Sequence, residues 1–154
     1  MTMTIYYRCK SKLVGNVIGI ANDDPGPGAY LVTYAQNSSD DELLWELVPS
    51  TEDSRYYYIK HRTTGHVIDI EGGNPEEGTR LVAYMQKSSD ADNQLWELVP
   101  AGIYYFIQSK LNGLVIDVQG ANARPGTPLI TYPMKSADDP ATHNQLWTLS
   151  IAGA

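Results

Sequence analysis

Two carboxylates stand where their residue type is out of place. Asp69 and Asp117 sit inside the runs "VIDI" (67–70) and "VIDV" (115–118). Both runs are otherwise apolar and largely β-branched, as in a buried strand, and Asp is depleted from strands. Each carboxylate therefore needs a reason to be there. It can accept hydrogen bonds from nearby turn N–H groups. It can also be held ready for a ligand, because an ionised acceptor makes a stronger hydrogen bond than a neutral one.

Other chemistries find less support. His61, His66 and His143 show no metal-ligand spacing. The acidic stretches "DDPGPG" and "GGNPEEG" lack the alternating oxygen ligands of a calcium loop and read as solvated turns. There is no G-x-S-x-G and no recognisable Ser–His–Asp order. A glycosidase needs two carboxylates flanking one bond, whereas each candidate site offers one placed Asp. No catalytic residue, metal or cofactor is expected, and an enzyme is the least supported class.

Charge narrows the partners. The chain has 11 Lys and Arg against 18 Asp and Glu, a net charge of −7 and no basic run. Nucleic-acid binders neutralise phosphates with cations, so nucleic acid and anionic membrane surfaces are disfavoured as partners. The opening "MTMTIYYRCKSK" lacks the apolar run of a signal peptide. No stretch reaches the length of a transmembrane helix. The single cysteine, Cys9, allows no disulfide within the chain. Together these features lead us to expect a cytoplasmic protein.

The elements that position the two Asp residues come in three copies. "YYRCKSKLVGNVIGI" (6–20), "YYYIKHRTTGHVIDI" (56–70) and "YYFIQSKLNGLVIDV" (104–118) share an aromatic opening, a glycine and a "VI" pair. Each is followed by a turn-rich stretch, then "LVTY", "LVAY" or "LITY", then a tryptophan phrase: "DELLWELVP" (41–49), "DNQLWELVP" (92–100) or "HNQLWTLS" (143–150). Trp45, Trp96 and Trp147 are the chain's only tryptophans and recur every 51 residues. Short β-branched and aromatic runs broken by Gly, Pro, Asn and Asp read as strands and hairpins. No segment carries a helical period.

Three units are too few for a typical propeller. The outer units are as apolar as the middle one, unlike the polar caps of a solenoid. A closed threefold arrangement remains, in which no edge strand stays open. We therefore expect one all-β domain over residues 1–154, a β-trefoil of about twelve short strands. Its repeats should lie at approximately 1–50, 51–100 and 101–150. In this register Cys9 aligns with Ile59 and Ile107, which makes it a small core residue rather than a reactive thiol. The three Trp rings should fill the core, one per unit.

The phrase "NQLW" at 93–96 and 144–147, with matched upstream elements over essentially the whole chain, resembles the Q-x-W signature of ricin B-type trefoil lectins. The absence of a leader and of disulfides is more similar to the cytosolic fungal members than to secreted plant toxins. The resemblance implies a sugar pocket in a unit that supplies three things. These are a carboxylate at a strand end, an aromatic ring 15 residues later and an Asn just before the Q-x-W glutamine. In the second unit they are Asp69, Tyr84 and Asn93, with the Gly72 backbone as a further lining element. In the third they are Asp117, Tyr132 and Asn144, behind a loop lengthened by the "ADDPATH" detour. Gln94 and Gln145 are expected to support the Asp residues rather than touch ligand. In the first unit Gly19 replaces the Asp, Glu42 stands near the Asn position and Leu43 replaces the Gln. Only Tyr34 survives, as a surface strand residue, and no binding is expected there.

The chemistry suits a sugar. One face of a pyranose is C–H rich and prefers an aromatic surface, its vicinal hydroxyls suit an ionised acceptor, and an amide offers donor and acceptor together. By the resemblance, the ligands are galactose- or N-acetylgalactosamine-ended glycans, and defence against grazers or parasites is the implied role. A homodimer would raise valency. Two rivals stay open at this stage. One is a trefoil protease inhibitor acting through an exposed loop such as "SADDPATH". The other is a lectin-like subunit that delivers a separate toxin.

Overall fold

A computed structural model describes residues 3–35 and 41–152. Each unit contributes four strands. The first holds β1 (Tyr7–Ser11), β2 (Val17–Ile20), β3 (Ala29–Tyr34) and β4 (Trp45–Pro49). The second holds β5 (Tyr57–His61), β6 (Val67–Ile70), β7 (Leu81–Tyr84) and β8 (Trp96–Ala101). The third holds β9 (Tyr104–Ser109), β10 (Val115–Val118), β11 (Leu129–Tyr132) and β12 (Trp147–Ile151). The described helical segments are short 3-10 turns; none is long and apolar enough to cross a membrane.

The strand pairings close a ring. β1 pairs with β12 and β4, β4 with β5, β5 with β8, β8 with β9, and β9 with β12, all antiparallel. Six strands thus form a barrel with no open edge, which removes the template for edge-to-edge association. The hairpins β2–β3, β6–β7 and β10–β11 cap one end of this barrel. The chain is an all-β β-trefoil, as its threefold repeat implies.

The threefold relation extends to single atoms. The N–H groups of Gly28, Gly78 and Gly126 donate to the carbonyls of Ala83, Thr131 and Thr33 in neighbouring hairpins. All three glycines adopt φ between 83° and 89°, the left-handed region in which a side chain is disfavoured. In the barrel, Leu149 faces Cys9, Leu47 faces Ile59 and Leu98 faces Ile107. Cys9 is thus the third member of a core layer. It is fully buried, and desolvation pushes its thiol up to about 12, so little thiolate exists to react.

The three indoles are buried at the centre. A buried Trp needs a partner for its ring N–H. Trp45, Trp96 and Trp147 donate to the backbone carbonyls of Ile18, Ile68 and Ile116, at 3.0, 3.1 and 3.2 Å. Each bond ties the barrel to the middle of a cap strand. Trp96→Ala should accordingly cost about 3–5 kcal/mol, the usual range for large-to-small core changes. Chemical denaturation of wild type and variant checks this; a loss under about 1 kcal/mol would contradict the central role of the ring.

Candidate functional site

Strand register explains why an Asp and a Tyr 15 residues apart meet. Asp69 on β6 faces Val82 on β7, and Asp117 on β10 faces Ile130 on β11. Tyr84 and Tyr132 lie two residues beyond those partners. Cross-strand partners, and residues two apart along a strand, share a face of a sheet. Carboxylate and ring therefore project to the same side of each hairpin. The two rings are exposed (40% and 39%), whereas the carboxylates are buried (4% and 3%).

In the second repeat these side chains line a cleft of about 430 Å³ with Gly72, Gly73, Lys87 and Asn93. Gly72 adopts φ 65° in the turn that follows β6, and a Cβ built there would meet nothing within 4 Å. Its backbone is thus left open to the cleft. In the third repeat Asp117, Gly120, Tyr132, Lys135 and Asn144 line a cleft of about 490 Å³. The structure therefore brings together every site residue expected in each unit. The lengthened loop leaves the third set assembled; it winds into a 3-10 turn, Pro140–Gln145, capped by Asp139.

Gln94 and Gln145 act from below. Gln94 Nε2 donates to Asp69 Oδ2 at 2.8 Å and to the Met85 carbonyl at 2.9 Å, while its Oε1 accepts the Lys87 N–H at 2.9 Å. Gln145 repeats the pattern with Asp117 Oδ2 at 3.0 Å, the Pro133 carbonyl at 2.9 Å and the Lys135 N–H at 2.9 Å. Both amide hydrogens of each Gln are committed, so each fixes the carboxylate and the chain after the tyrosine at once.

Lys87 and Lys135 were not singled out from sequence. Lys87 Nζ donates to Asn93 Oδ1 at 2.7 Å, and Lys135 Nζ to Asn144 Oδ1 at 3.1 Å. Asn93 in turn donates to Asp69 Oδ1 at 3.2 Å and to the Ile70 carbonyl at 3.3 Å. Both amide hydrogens of Asn93 are thus engaged, whereas the Lys87 ammonium has three hydrogens, of which the Asn93 bond uses one. A signal existed: "YMQKSSD" and "YPMKSAD" both carry Lys three residues after the Tyr, where the first unit reads "YAQNSSD" with Asn37. Asn37 lies outside the described residues.

Burial sets the electrostatics. Desolvation raises the Asp69 carboxyl above its ordinary range, against the Gln94 hydrogen bond, the Lys87 charge and the Asn93 amide. Asp117 is likewise raised by desolvation, against Gln145, Lys135 and Asn144. Among the described residues no group of three His, Cys, Asp or Glu side chains is placed to hold a metal ion.

The first repeat is filled from within. Gly19 faces Val32 on β3, and a Cβ added to it would fall 2.5 Å from the Tyr34 ring and 2.6 Å from Leu43. The Tyr34 hydroxyl donates to the Ile20 carbonyl, the position that Asn93 reaches at Ile70 and Asn144 at Val118. Tyr34 is half-buried. It is therefore not the surface strand residue expected from sequence: without an Asp side chain at position 19, its ring occupies the vacated space.

The comparisons with known proteins agree with this architecture. The fold matches that of ThreeFoil, a designed threefold-symmetric protein, at TM-score 0.84 and 28% identity, covering 94% of this chain and 97% of that one. It matches part of an exo-β-1,3-galactanase from Clostridium thermocellum at TM-score 0.86 and 25% identity, covering 99% of this chain but 31% of the enzyme. The ricin B-like lectin of Macrolepiota procera aligns at TM-score 0.76 and 20% identity, over 97% of both chains. No protein of curated function matches the sequence. The family model described as ricin-type beta-trefoil lectin domain-like matches residues 2–84 and 45–132, so the chain belongs to the ricin-type β-trefoil lectin domain-like family.

Proposed function

We propose that this protein is a non-enzymatic lectin that binds galactose- or N-acetylgalactosamine-ended glycans through the clefts of its second and third repeats, with the first repeat silent. The observation that carries this reading is the doubled construction itself. A buried Asp, an exposed Tyr on the same sheet face and a Lys–Asn pair recur in two repeats with the same partners. The first repeat has Gly19 in place of the Asp, and Tyr34 and Leu43 close over the gap. A purely structural carboxylate does not call for an exposed ring beside it.

The parts suit a pyranose edge and face. The carboxylate accepts from two vicinal hydroxyls, and in galactose the axial 4-hydroxyl stands beside the equatorial 3-hydroxyl within reach of one such group. The ammonium supplies a charged donor, and the tyrosine ring covers the C–H face. Relatives of the same fold support the sugar class: the Macrolepiota procera lectin is described in complex with lactose and an earthworm R-type lectin with GalNAc. Glu71 lines the second cleft, but Gln119 stands at the same place after Asp117. A carboxylate pair is therefore no part of what the two sites share, which favours binding over hydrolysis. The "SADDPATH" loop is wound into a capped turn, with Thr142 buried, so it offers no extended segment of the kind proteases take as an added strand.

Single shallow sites of this kind should bind at about 0.01–1 mM, with avidity from two sites on one body. A defence role and a homodimer would both build on that valency. On a glycan array, wild type should give signal on galactose- or N-acetylgalactosamine-ended glycans, and a folded Asp69→Ala/Asp117→Ala variant none. Each single variant should lose about one site by calorimetry. Silence from folded wild type would remove the sugar reading.

Acid should separate binding from folding. Ligand needs the ionised carboxylates, whose pKa values are raised, so binding should fall as pH drops through a midpoint above the ordinary Asp value of about 3.9. The sign for stability is opposite. A carboxyl with a raised folded-state pKa favours the fold when protonated, and that contribution is lost as pH rises through the folded value. Titrating binding and circular dichroism in parallel should show sugar released from a folded protein. Release only together with unfolding would contradict the electrostatics.

A further inference from the structure

A second, larger cleft adjoins the one in the second repeat. It has a volume of about 640 Å³ and shares Gly73, Lys87 and Asn93 with the Asp69 cleft. The three shared residues form the sill between the two spaces. Gly73 keeps this sill low: it adopts φ 62°, and a Cβ built on it would stand 3.9 Å from the Asn93 amide. On the far side, one wall is Ser50–Glu52, which follows β4, and the other is Ser88–Asp92, which follows β7. Beneath the walls Tyr58 and Leu95 belong to a small buried cluster, and the Tyr58 hydroxyl donates to the Lys87 carbonyl at 2.7 Å. An ion pair between Lys110 and Asp92, 3.4 Å apart, borders it.

We infer that this cleft is a second subsite, which takes the sugar residues that follow the terminal one, so that the second repeat reads an oligosaccharide and the third only a terminal sugar. The inference rests on the lectin reading above. Its chemistry is that of a pyranose chain: a mostly polar lining, in which the hydroxyls of Thr51, Ser88 and Ser89 and the carboxylates of Glu52 and Asp92 can meet ring hydroxyls. The position is set by continuity, because a glycan held at Asp69 and Lys87 can cross the Gly73 sill without leaving the protein surface. Phosphate- or sulfate-bearing chains are the poorer fit, since Glu52, Asp90 and Asp92 line the walls.

The third repeat is built otherwise on that side. Asn93 comes six positions after Lys87, but Asn144 comes nine after Lys135. The extra residues fold back on the lysine. The Ala141 carbonyl accepts from Lys135 Nζ at 2.9 Å, and the buried Thr142 hydroxyl donates to the Ser136 carbonyl. Lys135 is thus held by two acceptors, one of them contributed by the longer loop itself, where Lys87 faces open cleft.

The test isolates the sites. Asp117→Ala leaves the second site and Asp69→Ala the third. Calorimetry compares methyl galactoside with galactose-ended di- to tetrasaccharides of several linkages. At the second site the best oligosaccharide should bind about 10-fold or more tightly than the monosaccharide, and at the third within about 3-fold. In the Asp117→Ala background, Ser89→Trp should fill the cleft and abolish the gain while methyl galactoside binds as before; Glu52→Lys is a second, independent change on the opposite wall. Equal gains at both sites, no gain at the second, or a gain that survives both wall variants would overturn the subsite and leave the lectin reading standing. Failure of every sugar, monosaccharide included, to bind folded protein would overturn both.

Discussion

Three consecutive residues of one cap strand are gripped by one short phrase, and the site depends on that grip. In the second repeat Trp96 bonds the Ile68 carbonyl, Gln94 the Asp69 carboxylate, and Asn93 the Ile70 carbonyl. In the third, Trp147, Gln145 and Asn144 do the same at Ile116, Asp117 and Val118. The phrase thus anchors the core and orients the candidate binding carboxylate with the same few residues. A buried carboxylate without partners would cost several kcal/mol, and the Gln supplies one of the hydrogen bonds that hold it, beside the Asn amide and the Lys charge.

The first repeat keeps the outer two grips and abandons the middle one. Trp45 still bonds the Ile18 carbonyl, and the Tyr34 hydroxyl supplies the bond to Ile20 that an Asn makes elsewhere. Gly19 between them has no side chain to hold. Backbone carbonyls must be satisfied whether or not a ligand binds, which is why the structural bonds persist where the carboxylate has gone. The trefoil closes without a carboxylate at this position.

Threefold symmetry is therefore strict in the barrel and loose at the rim. The barrel layer tolerates Cys9 against Ile59 and Ile107 because size and apolarity suffice there. The loops that follow the tyrosines differ by three residues between the second and third units, and that difference changes the surroundings of a lysine in contact with the site asparagine. Surface loops accept such insertions at low cost, so they can change the surroundings of the clefts without disturbing the core.

The repeats, the all-β class, the trefoil and the three buried tryptophans were legible in the sequence, because periodic apolar residues must face a common core whatever the loops do. The set Asp69, Tyr84, Asn93 and its counterpart Asp117, Tyr132, Asn144 was legible as a recurring spacing. That spacing measures a hairpin: 13 residues to the facing partner and two more along the strand. The tertiary structure alone decided the rest. Long flexible side chains such as Lys87 carry no directional preference in sequence, so its bond to Asn93 emerges only once the loop is folded. Tyr34 reads as a surface residue until Gly19 is seen facing it. The cleft beyond Gly73 is bounded by segments that follow β4, β7 and β9, and no local pattern encodes the space between elements so distant in the chain.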